Sequence, residues 1–223
     1  MNFPKLKVAA GLAACLLSVS TLAAEPPSRP EGYLDSTEWY SRAANAGDAE
    51  AQYLLGEILS RGLRGKTDRE LAADWFEKAA KQGHARAAFA LASAFETGRG
   101  RKRDMAKAAE WYQVAAKSGV LAAYHNLARL YETGLGVKKD AARAVGYYTE
   151  AATRGLAASQ FNLGLIYMEG LGLPKDKLLA WAWLKRAEIG GYAPATGPIG
   201  VLEKDMTAAE KAKAYETLKK IRG

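Results

Sequence analysis

The chain repeats itself at a period of 36 residues, and the phase of the repeat does not drift along the sequence. A bulky aromatic residue recurs at Trp39, Trp75, Trp111, Tyr147 and Trp183. A glycine and an aspartate keep the same step, at Gly47, Gly83, Gly119, Gly155 and Gly191 and at Asp68, Asp104, Asp140 and Asp176. Such a fixed period is typical of a repeat array, in which each unit buries its apolar face only by stacking on the next unit. The period therefore restricts the fold more than any single motif does.

Four full units align without a gap, at residues 49–84, 85–120, 121–156 and 157–192. The first part of unit one carries Ala51, Leu55 and Leu59 at a spacing of four, which is the apolar stripe of a helix. The residue after the central leucine is always small, at Gly56, Ala92, Ala128 and Gly164. We expect this position to let a neighbouring helix backbone come close.

The second part of each unit predicts a second helix, which follows a glycine turn such as Gly134-Leu135-Gly136. The recurring aspartate stands at its start, where a short carboxylate accepts hydrogen bonds from free N–H groups. A bulky pair and a small pair follow, as in Trp111-Tyr112 and Ala115-Ala116. We expect the two pairs to interdigitate, with Trp111 at the centre of the core, where truncation to alanine costs about 3–5 kcal/mol.

The two ends of the array depart from the repeat, as capping units do. Residues 33–47 correspond to a lone second helix, so the array proper is predicted over residues 33–192. After Tyr192 the repeat dissolves, and a final helix is predicted to begin at Thr207, with Glu210 completing a capping box. Residues 193–223 are therefore predicted to form a C-terminal cap. Its apolar face is expected to comprise Ala208, Ala212, Tyr215 and Leu218.

The N-terminus is predicted to be an export signal rather than part of the fold. Lys5 and Lys7 precede an apolar stretch, and small residues end the segment, so residues 1–24 match a secretory signal peptide cleaved after Ala23 or Ala24. Residues 25–32 would form a linker, and the mature protein would be periplasmic or secreted. Two alternatives remain: an uncleaved membrane anchor, and lipidation of Cys15 in the sequence Leu12-Ala13-Ala14-Cys15.

The mature chain would be basic and free of cysteine. Removal of Lys5 and Lys7 lowers the formal net charge from +8 to +6, and Cys15 is the only cysteine. An exported protein without cysteine must be stable without disulfides. A basic surface favours acidic partners, such as anionic polymers, lipid head groups or acidic protein faces. No nucleic-acid partner is expected for an exported protein.

The sequence offers no constellation of catalytic or metal-binding residues. Neither Ser-x-x-Lys nor His-Glu-x-x-His occurs, and the two histidines, His84 and His125, are 41 residues apart. His84 stands at a position occupied elsewhere by Val120, Leu156 and Tyr192, which indicates a partly packed turn residue. We therefore predict no catalytic residue, no metal and no cofactor.

The unit resembles the Sel1-like repeat, a relative of the tetratricopeptide repeat. The resemblance is clearest from Ser159 to Gly164, continuing through Tyr167 to the turn Gly170-Leu171-Gly172. It implies an all-α fold, an α/α superhelical solenoid of antiparallel helix pairs. Members of the family are mostly adaptors, and many bacterial members are exported. Some cysteine-rich exported members have been described as penicillin-binding or β-lactamase-like, but this chain lacks their paired cysteines.

By the same resemblance, the first helices of the units would line a concave groove that binds a partner. The second, fifth, sixth and ninth positions of the units would project into it, and aromatic rings and arginine dominate interface energies. The candidate groove residues are Tyr53, Arg86, Phe89, His125, Asn126, Arg129, Phe161, Asn162 and Leu165. The alternative is that these rings and asparagines serve packing between units.

A second candidate surface is a basic ridge along the turns between the helices of each unit. Stacking of the units would align these turns, and an anionic glycan or lipid could bind the resulting stripe of charge. The candidate ridge residues are Arg99, Arg101, Lys102, Arg103, Lys138 and Lys139. The alternative is a solvated edge that aids solubility.

The sequence thus favours a non-enzymatic exported adaptor that binds a protein or peptide in the groove, in bacterial envelope signalling or regulation. A binder of anionic envelope glycan or lipid through the ridge is the alternative. A β-lactamase-like enzyme is a third hypothesis, and it is disfavoured because no nucleophile is arranged for it.

Overall fold

The computed structural model describes residues 37–221, except residues 64 and 66, and every regular element in that part of the chain is a helix. The predicted signal peptide, Cys15, the linker and residues 33–36 lie outside the described residues. The elements are α1 Thr37–Asn45, α2 Ala49–Arg61, α3 Arg69–Lys81, α4 Ala85–Thr97, α5 Met105–Lys117, α6 Leu121–Thr133, α7 Ala141–Thr153, α8 Ala157–Glu169, α9 Lys177–Ile189, a 3-10 turn Ala193–Ala195, α10 Thr196–Lys204 and α11 Ala208–Lys220. Each 36-residue unit is one helix pair, so the predicted all-α solenoid is confirmed.

The predicted helix ends are confirmed by their hydrogen bonds. The Asp104 carboxylate accepts from the backbone N–H groups of Ala106 and Lys107 at 3.1 and 3.0 Å, and so caps the start of α5. The first helices end at a glycine in the left-handed conformation, as at Gly98 with φ of 75°. These caps place the turn between the two helices at the same point in every unit.

In units two and three the core is built around the second residue of the bulky pair, so the prediction for Trp111 is wrong. Tyr112 and Tyr148 are 1% and 0% exposed, whereas Trp111 and Tyr147 are only partly buried. Consecutive residues on a helix point about 100° apart, so in these two pairs one member faces the centre of the core and the other lies at its edge. In units one and four the first members, Trp75 and Trp183, are buried as well. Trp111 packs against the edge of the same core cluster.

The small residue in each first helix mainly makes room for a side chain rather than for a helix backbone. A β-carbon placed on Gly164 would lie 2.7 Å from Cγ of Leu184, and one on Gly56 would lie 2.5 Å from Cε1 of Phe76. Phe76 and Leu184 are the buried second members of the bulky pairs. The backbone of α3 also approaches, but less closely: the same β-carbon on Gly56 would lie 3.1 Å from the carbonyl oxygen of Ala72.

The second glycine of the turn joins successive units. A β-carbon on Gly136 would lie 2.3 Å from the carbonyl carbon of Met105, the first residue of α5 in the preceding unit. In the same way, a β-carbon on Gly100 would lie 2.0 Å from the carbonyl oxygen of Arg69 at the start of α3. Only glycine fits such a close backbone contact. The Gly-x-Gly turns therefore fix the stacking of the units as well as the end of the first helix.

The C-terminal cap contains one more helix than predicted. The capping box at Thr207 and Glu210 is confirmed at the start of α11. Residues 196–204, however, form α10. Pro198 does not prevent this helix, because it lies in the first turn, where the backbone N–H groups have no partner within the helix. Both helices pack on α9, where Trp181 is 1% exposed and donates from Nε1 to Glu203 at 2.9 Å.

The predicted apolar face of the last helix is largely wrong. Ala208 and Ala212 are exposed, and Tyr215 is 51% exposed although its ring meets the edge of the Trp181 ring. Ala214 and Leu218 are the residues that face the core. This face is set by the position of Trp181, which stands where the earlier units carry Ala73, Ala109 and Val145.

Candidate functional site

The first helices of consecutive units interact through long side chains on one surface. Arg86 of α4 binds Glu50 of α2 at 2.9 Å, Arg129 of α6 forms an ion pair with Glu96 of α4, and His125 of α6 lies 3.0 Å from Ser159 of α8. We call the surface formed by α2, α4, α6 and α8 the first-helix face. It carries the predicted groove residues.

The junction between units two and three is closed by a polar cluster. The Tyr112 hydroxyl donates to a Glu96 carboxylate oxygen at 2.5 Å, and the other oxygen of Glu96 accepts from Arg129. Asn126 also hydrogen-bonds the Tyr112 hydroxyl. Burial, reinforced by the Glu96 carboxylate, holds the pKa of Tyr112 well above its usual range, so this hydroxyl remains a donor.

The junction between units three and four repeats most of this cluster. The Tyr148 hydroxyl donates to Glu132 at 2.8 Å and is hydrogen-bonded by Asn162. His125 packs edge-on against the Tyr148 ring, and burial together with the charge of Arg129 lowers the pKa of His125. Its imidazole is therefore neutral at pH 7. Asn126 and Asn162 thus each have a hydrogen-bond partner inside the protein.

At the junction between units one and two, the ends of the helices are tied by charge. His84 lies 2.8 Å from Glu50 through Nε2, while its Nδ1 accepts the Ala87 N–H and so caps α4. Burial alone would raise the pKa of Glu50, but the His84 hydrogen bond and the Arg86 charge outweigh it and lower this pKa. Tyr53 stacks on His84, with ring centroids 4.7 Å apart. His84 is a packed turn residue as predicted, and it has a capping role that the sequence did not indicate.

The same junction opens into a cleft of about 550 Å³. Tyr53, Arg86 and Phe89 of the predicted groove line it. Its inner wall is apolar, formed by Ala72, Ala73, Phe76, Ala90 and Ala94. We call this space the unit-one cleft.

Two of the predicted ring residues pack against another ring of their own unit. Phe89 lies 5.5 Å from the Tyr112 ring, and Phe161 lies 5.1 Å from the Tyr192 ring. Leu165 and Phe161 both pack against the core cluster beneath the C-terminal cap. The rings of Phe89 and Phe161 therefore contribute to packing inside the protein and leave only part of their surface for a partner.

The structure divides the predicted basic ridge into bound and free cations. The Arg101 side chain is 18% exposed and binds Asp74 at 2.6 Å and Glu77 at 3.3 Å on α3 of the preceding unit. Arg103 donates from Nε to the Glu96 carbonyl oxygen at 3.2 Å. Arg103 is exposed and forms no ion pair among the described residues, and the same holds for Arg99, Lys102, Lys138 and Lys139, for which no hydrogen bond from the side chain is seen either.

Sequence reasoning missed an aromatic cluster between the two helices of unit three, α6 and α7. Tyr131 and Tyr147 stack with ring centroids 5.6 Å apart, and Tyr124 lies 6.2 Å from Tyr147. The Arg143 guanidinium lies 5.4 Å above the Tyr131 ring and hydrogen-bonds its hydroxyl. These residues come from different helices and share no short motif, so only the excess of tyrosine in unit three could have indicated the cluster.

The described residues contain no group of three or more His, Cys, Asp or Glu side chains that could hold a metal ion. None of the helices among them is long and apolar enough to cross a membrane.

Comparisons with known proteins agree with this architecture. The Sel1 repeat family model matches residues 36–48, 49–84, 85–120, 121–156 and 157–192. The crystal structure of a Sel1 repeat protein from Oxalobacter formigenes superposes with a TM-score of 0.69 at 34% identity, over 74% of this chain and 66% of that protein. The crystal structure of c5321, a protective antigen present in uropathogenic Escherichia coli strains and displaying an SLR fold, gives 0.58 at 29% identity, over 86% of this chain and 49% of that protein.

The chain therefore spans 66% of the length of the first protein and about half, 49%, of the second. No curated protein matches its sequence.

Proposed function

Because this chain belongs to the Sel1 repeat family, whose members are generally protein-interaction scaffolds, we propose that it is a non-enzymatic exported adaptor that binds a protein or peptide on the first-helix face. The observation that carries the proposal is the unit-one cleft, an open space on that face with an apolar inner wall. Interfaces are anchored by side chains that fill such pockets, and aromatic residues and arginine dominate their energies. Tyr53, Phe89 and Arg86 provide these residue types at the cleft.

Export to the bacterial envelope is the second part of the proposal. It is supported by the predicted signal peptide in residues 1–24. The similar protein c5321 is a protective antigen present in uropathogenic Escherichia coli strains. We propose a role in envelope signalling or regulation on these grounds.

Binding of an anionic glycan or lipid by the basic ridge is the second candidate. It is supported by the exposed cations Arg99, Lys102, Lys138 and Lys139. Two observations weaken it: Arg101 is bound to Asp74 and Glu77, and each turn is followed by a capping aspartate such as Asp104. Attraction between exposed charges is also screened by salt.

Site-specific photo-crosslinking tests the proposed face. A photoreactive amino acid is introduced at Ser93 or Thr97 on the first-helix face, and at Gln113 or Glu150, which are exposed on second helices, as matched controls. Irradiation of cells that produce each variant is followed by purification of the variant together with its covalent adducts. We expect discrete protein adducts from Ser93 and Thr97, and none from the control positions.

Adducts confined to Gln113 or Glu150 would place the interaction on the opposite surface and contradict the proposal. Absence of protein adducts, together with retention of a glycan or lipid that high salt removes, would support the ridge instead.

A further inference from the structure

The unit-one cleft exists because three positions that close the other junctions carry different residues here. Between units two and three, these positions hold Glu96, Tyr112 and Asn126, which are joined by hydrogen bonds. Between units three and four they hold Glu132, Tyr148 and Asn162, joined in the same way. Between units one and two the corresponding residues are Ser60, Phe76 and Ala90.

These replacements remove every polar group of the cluster that could fill the space. Phe76 lacks the hydroxyl of Tyr112, Ala90 lacks the amide of Asn126, and Ser60 is too short to replace Glu96. All three residues line the cleft. The ninth residue of unit two also leaves space in the cleft. It is Ser93, whereas the ninth residue of unit three is Arg129, whose long side chain fills the next junction. An apolar pocket of this kind is suited to an apolar side chain rather than to a polar one.

The rim of the cleft is strongly positive. Arg61, Arg69, Arg86 and Arg99 line it, against the single acidic residue Glu57. Arg61 is paired with Glu57, and Arg86 with Glu50. Arg69 and Arg99 are exposed and form no ion pair with any residue that the structure describes, so two cations remain for a ligand.

We propose that the unit-one cleft binds an acidic peptide segment, with one apolar side chain against Phe76, Phe89 and Ala90 and flanking carboxylates paired with Arg69 and Arg99. This inference rests on the proposed function and specifies the chemistry of its partner. Arginine forms bidentate hydrogen bonds with carboxylates, which adds geometric specificity to the affinity. Complementary charge around an apolar anchor is a common source of specificity.

The probe is a random peptide library displayed on phage and selected on the full chain. We expect the enriched peptides to share an apolar residue flanked by Asp or Glu. An enriched peptide is then synthesised with blocked ends, and its affinity is measured by fluorescence anisotropy at two salt concentrations. Because charges contribute, the affinity should fall as the ionic strength rises.

Two variants of the cleft test the position of binding. Arg69→Ala with Arg99→Ala removes the free cations, and Ala90→Leu fills the apolar space with the residue that stands at this position in unit one, Leu54. Each should weaken binding roughly tenfold or more, as removal of an interface anchor does. Lys117→Ala with Lys213→Ala removes the same charge at two exposed positions outside the cleft and the ridge, and should keep the wild-type affinity.

Thermal melting of each variant checks its fold, and the arginine variant decides the question if Ala90→Leu does not fold. Enriched peptides without acidic residues, or acidic peptides that bind the cleft variants as tightly as the wild type, would overturn this inference but leave peptide binding in place. If no peptide is enriched, peptide binding on the first-helix face is overturned as well.

Discussion

Residues that are neighbours in the sequence of this protein can differ strongly in burial. Tyr112 is buried and its hydroxyl is held by Glu96 and Asn126, while Trp111, beside it on the same helix, is only partly buried. The larger ring of this pair is thus not the one at the centre of the core. The difference follows from the angle of about 100° between consecutive side chains on a helix.

Truncation of these two neighbours tests this assignment of the core. Tyr112→Ala should lower the free energy of unfolding by about 3–5 kcal/mol, since it leaves a cavity and removes the partner of Glu96. Trp111→Ala should cost less, because part of the indole remains in water in the folded protein. Urea denaturation of both variants measures the difference, and a greater loss for Trp111→Ala would contradict the observed depth of the two rings.

At the scale of the helix, the same residue type has opposite effects at different places. Gly146 lies in the middle of α7, is exposed, and a β-carbon there would have no atom within 4 Å. Gly164 lies in the middle of α8, where the β-carbon would meet Leu184. Glycine weakens a helix in both places, but only at Gly164 does packing require it.

Alanine at these two positions provides a matched pair of variants. Gly146→Ala should raise the free energy of unfolding by about 0.5–1 kcal/mol through the gain in helix propensity alone. Gly164→Ala makes the same gain but should be destabilising, because overpacking of a core costs about 1–3 kcal/mol. Chemical denaturation measures both changes. Changes of the same sign would show that α8 does not pack on Leu184 as the structure has it.

The stability of the terminal helix α11 should depend on pH through the carboxylate of Glu210. The hydrogen bond from Lys177, and then those from Thr207, lower the pKa of Glu210 from 4.5 to about 2. Since the folded pKa is the lower one, this carboxylate stabilises the fold above pH 4.5, and the contribution is lost as the pH falls to about 2. The unfolding of the wild type and of Glu210→Gln should therefore differ above pH 4.5 and converge towards pH 2.

Tryptophan fluorescence, to which Trp181 beneath the cap contributes, can follow this transition. Glu210→Gln serves as the control for all other carboxylates, which titrate in both proteins. A difference between the two proteins that stays constant over the window would exclude Glu210 as the titrating group.

At the scale of the whole molecule, successive units are held together by contacts that recur with the repeat. The Gly-x-Gly turns rest on the preceding unit, and Arg101 binds Asp74 and Glu77 across a junction. The last unit has no successor, so α10 and α11 cover Trp181 instead. An array of this kind needs such a cap to keep its final apolar surface from water.

Export of the molecule can be tested at its N-terminus. We expect the protein purified from a bacterial envelope fraction to begin at Ala24 or Glu25, because a signal peptide is cleaved after small residues. Mass spectrometry of the intact chain measures this directly. A mature chain beginning at a lipid-modified Cys15 would establish the lipoprotein alternative, and Cys15→Ser should then abolish the added mass. An intact Met1 in the membrane fraction would indicate an uncleaved anchor.

The amino-acid sequence alone determined the number and phase of the units, the helix pairs and their ends. These features depend on interactions between residues close in sequence, such as the Asp104 cap and the Gly98 turn, so they recur wherever the pattern recurs. The positions of the candidate groove residues on the first helices followed from the same periodicity and the family resemblance.

Only the tertiary structure decided that Tyr112 rather than Trp111 is central to the core and which face of α11 packs. It also decided that Arg101 is bound, while Arg69 and Arg99 form no ion pair with the residues that the structure describes. It also revealed the unit-one cleft, which results from Ser60, Phe76 and Ala90 coming together from three helices. Each of these outcomes depends on the relative rotation and spacing of helices that are far apart in sequence. That geometry is set by the packing of whole side chains, which a periodic pattern does not specify.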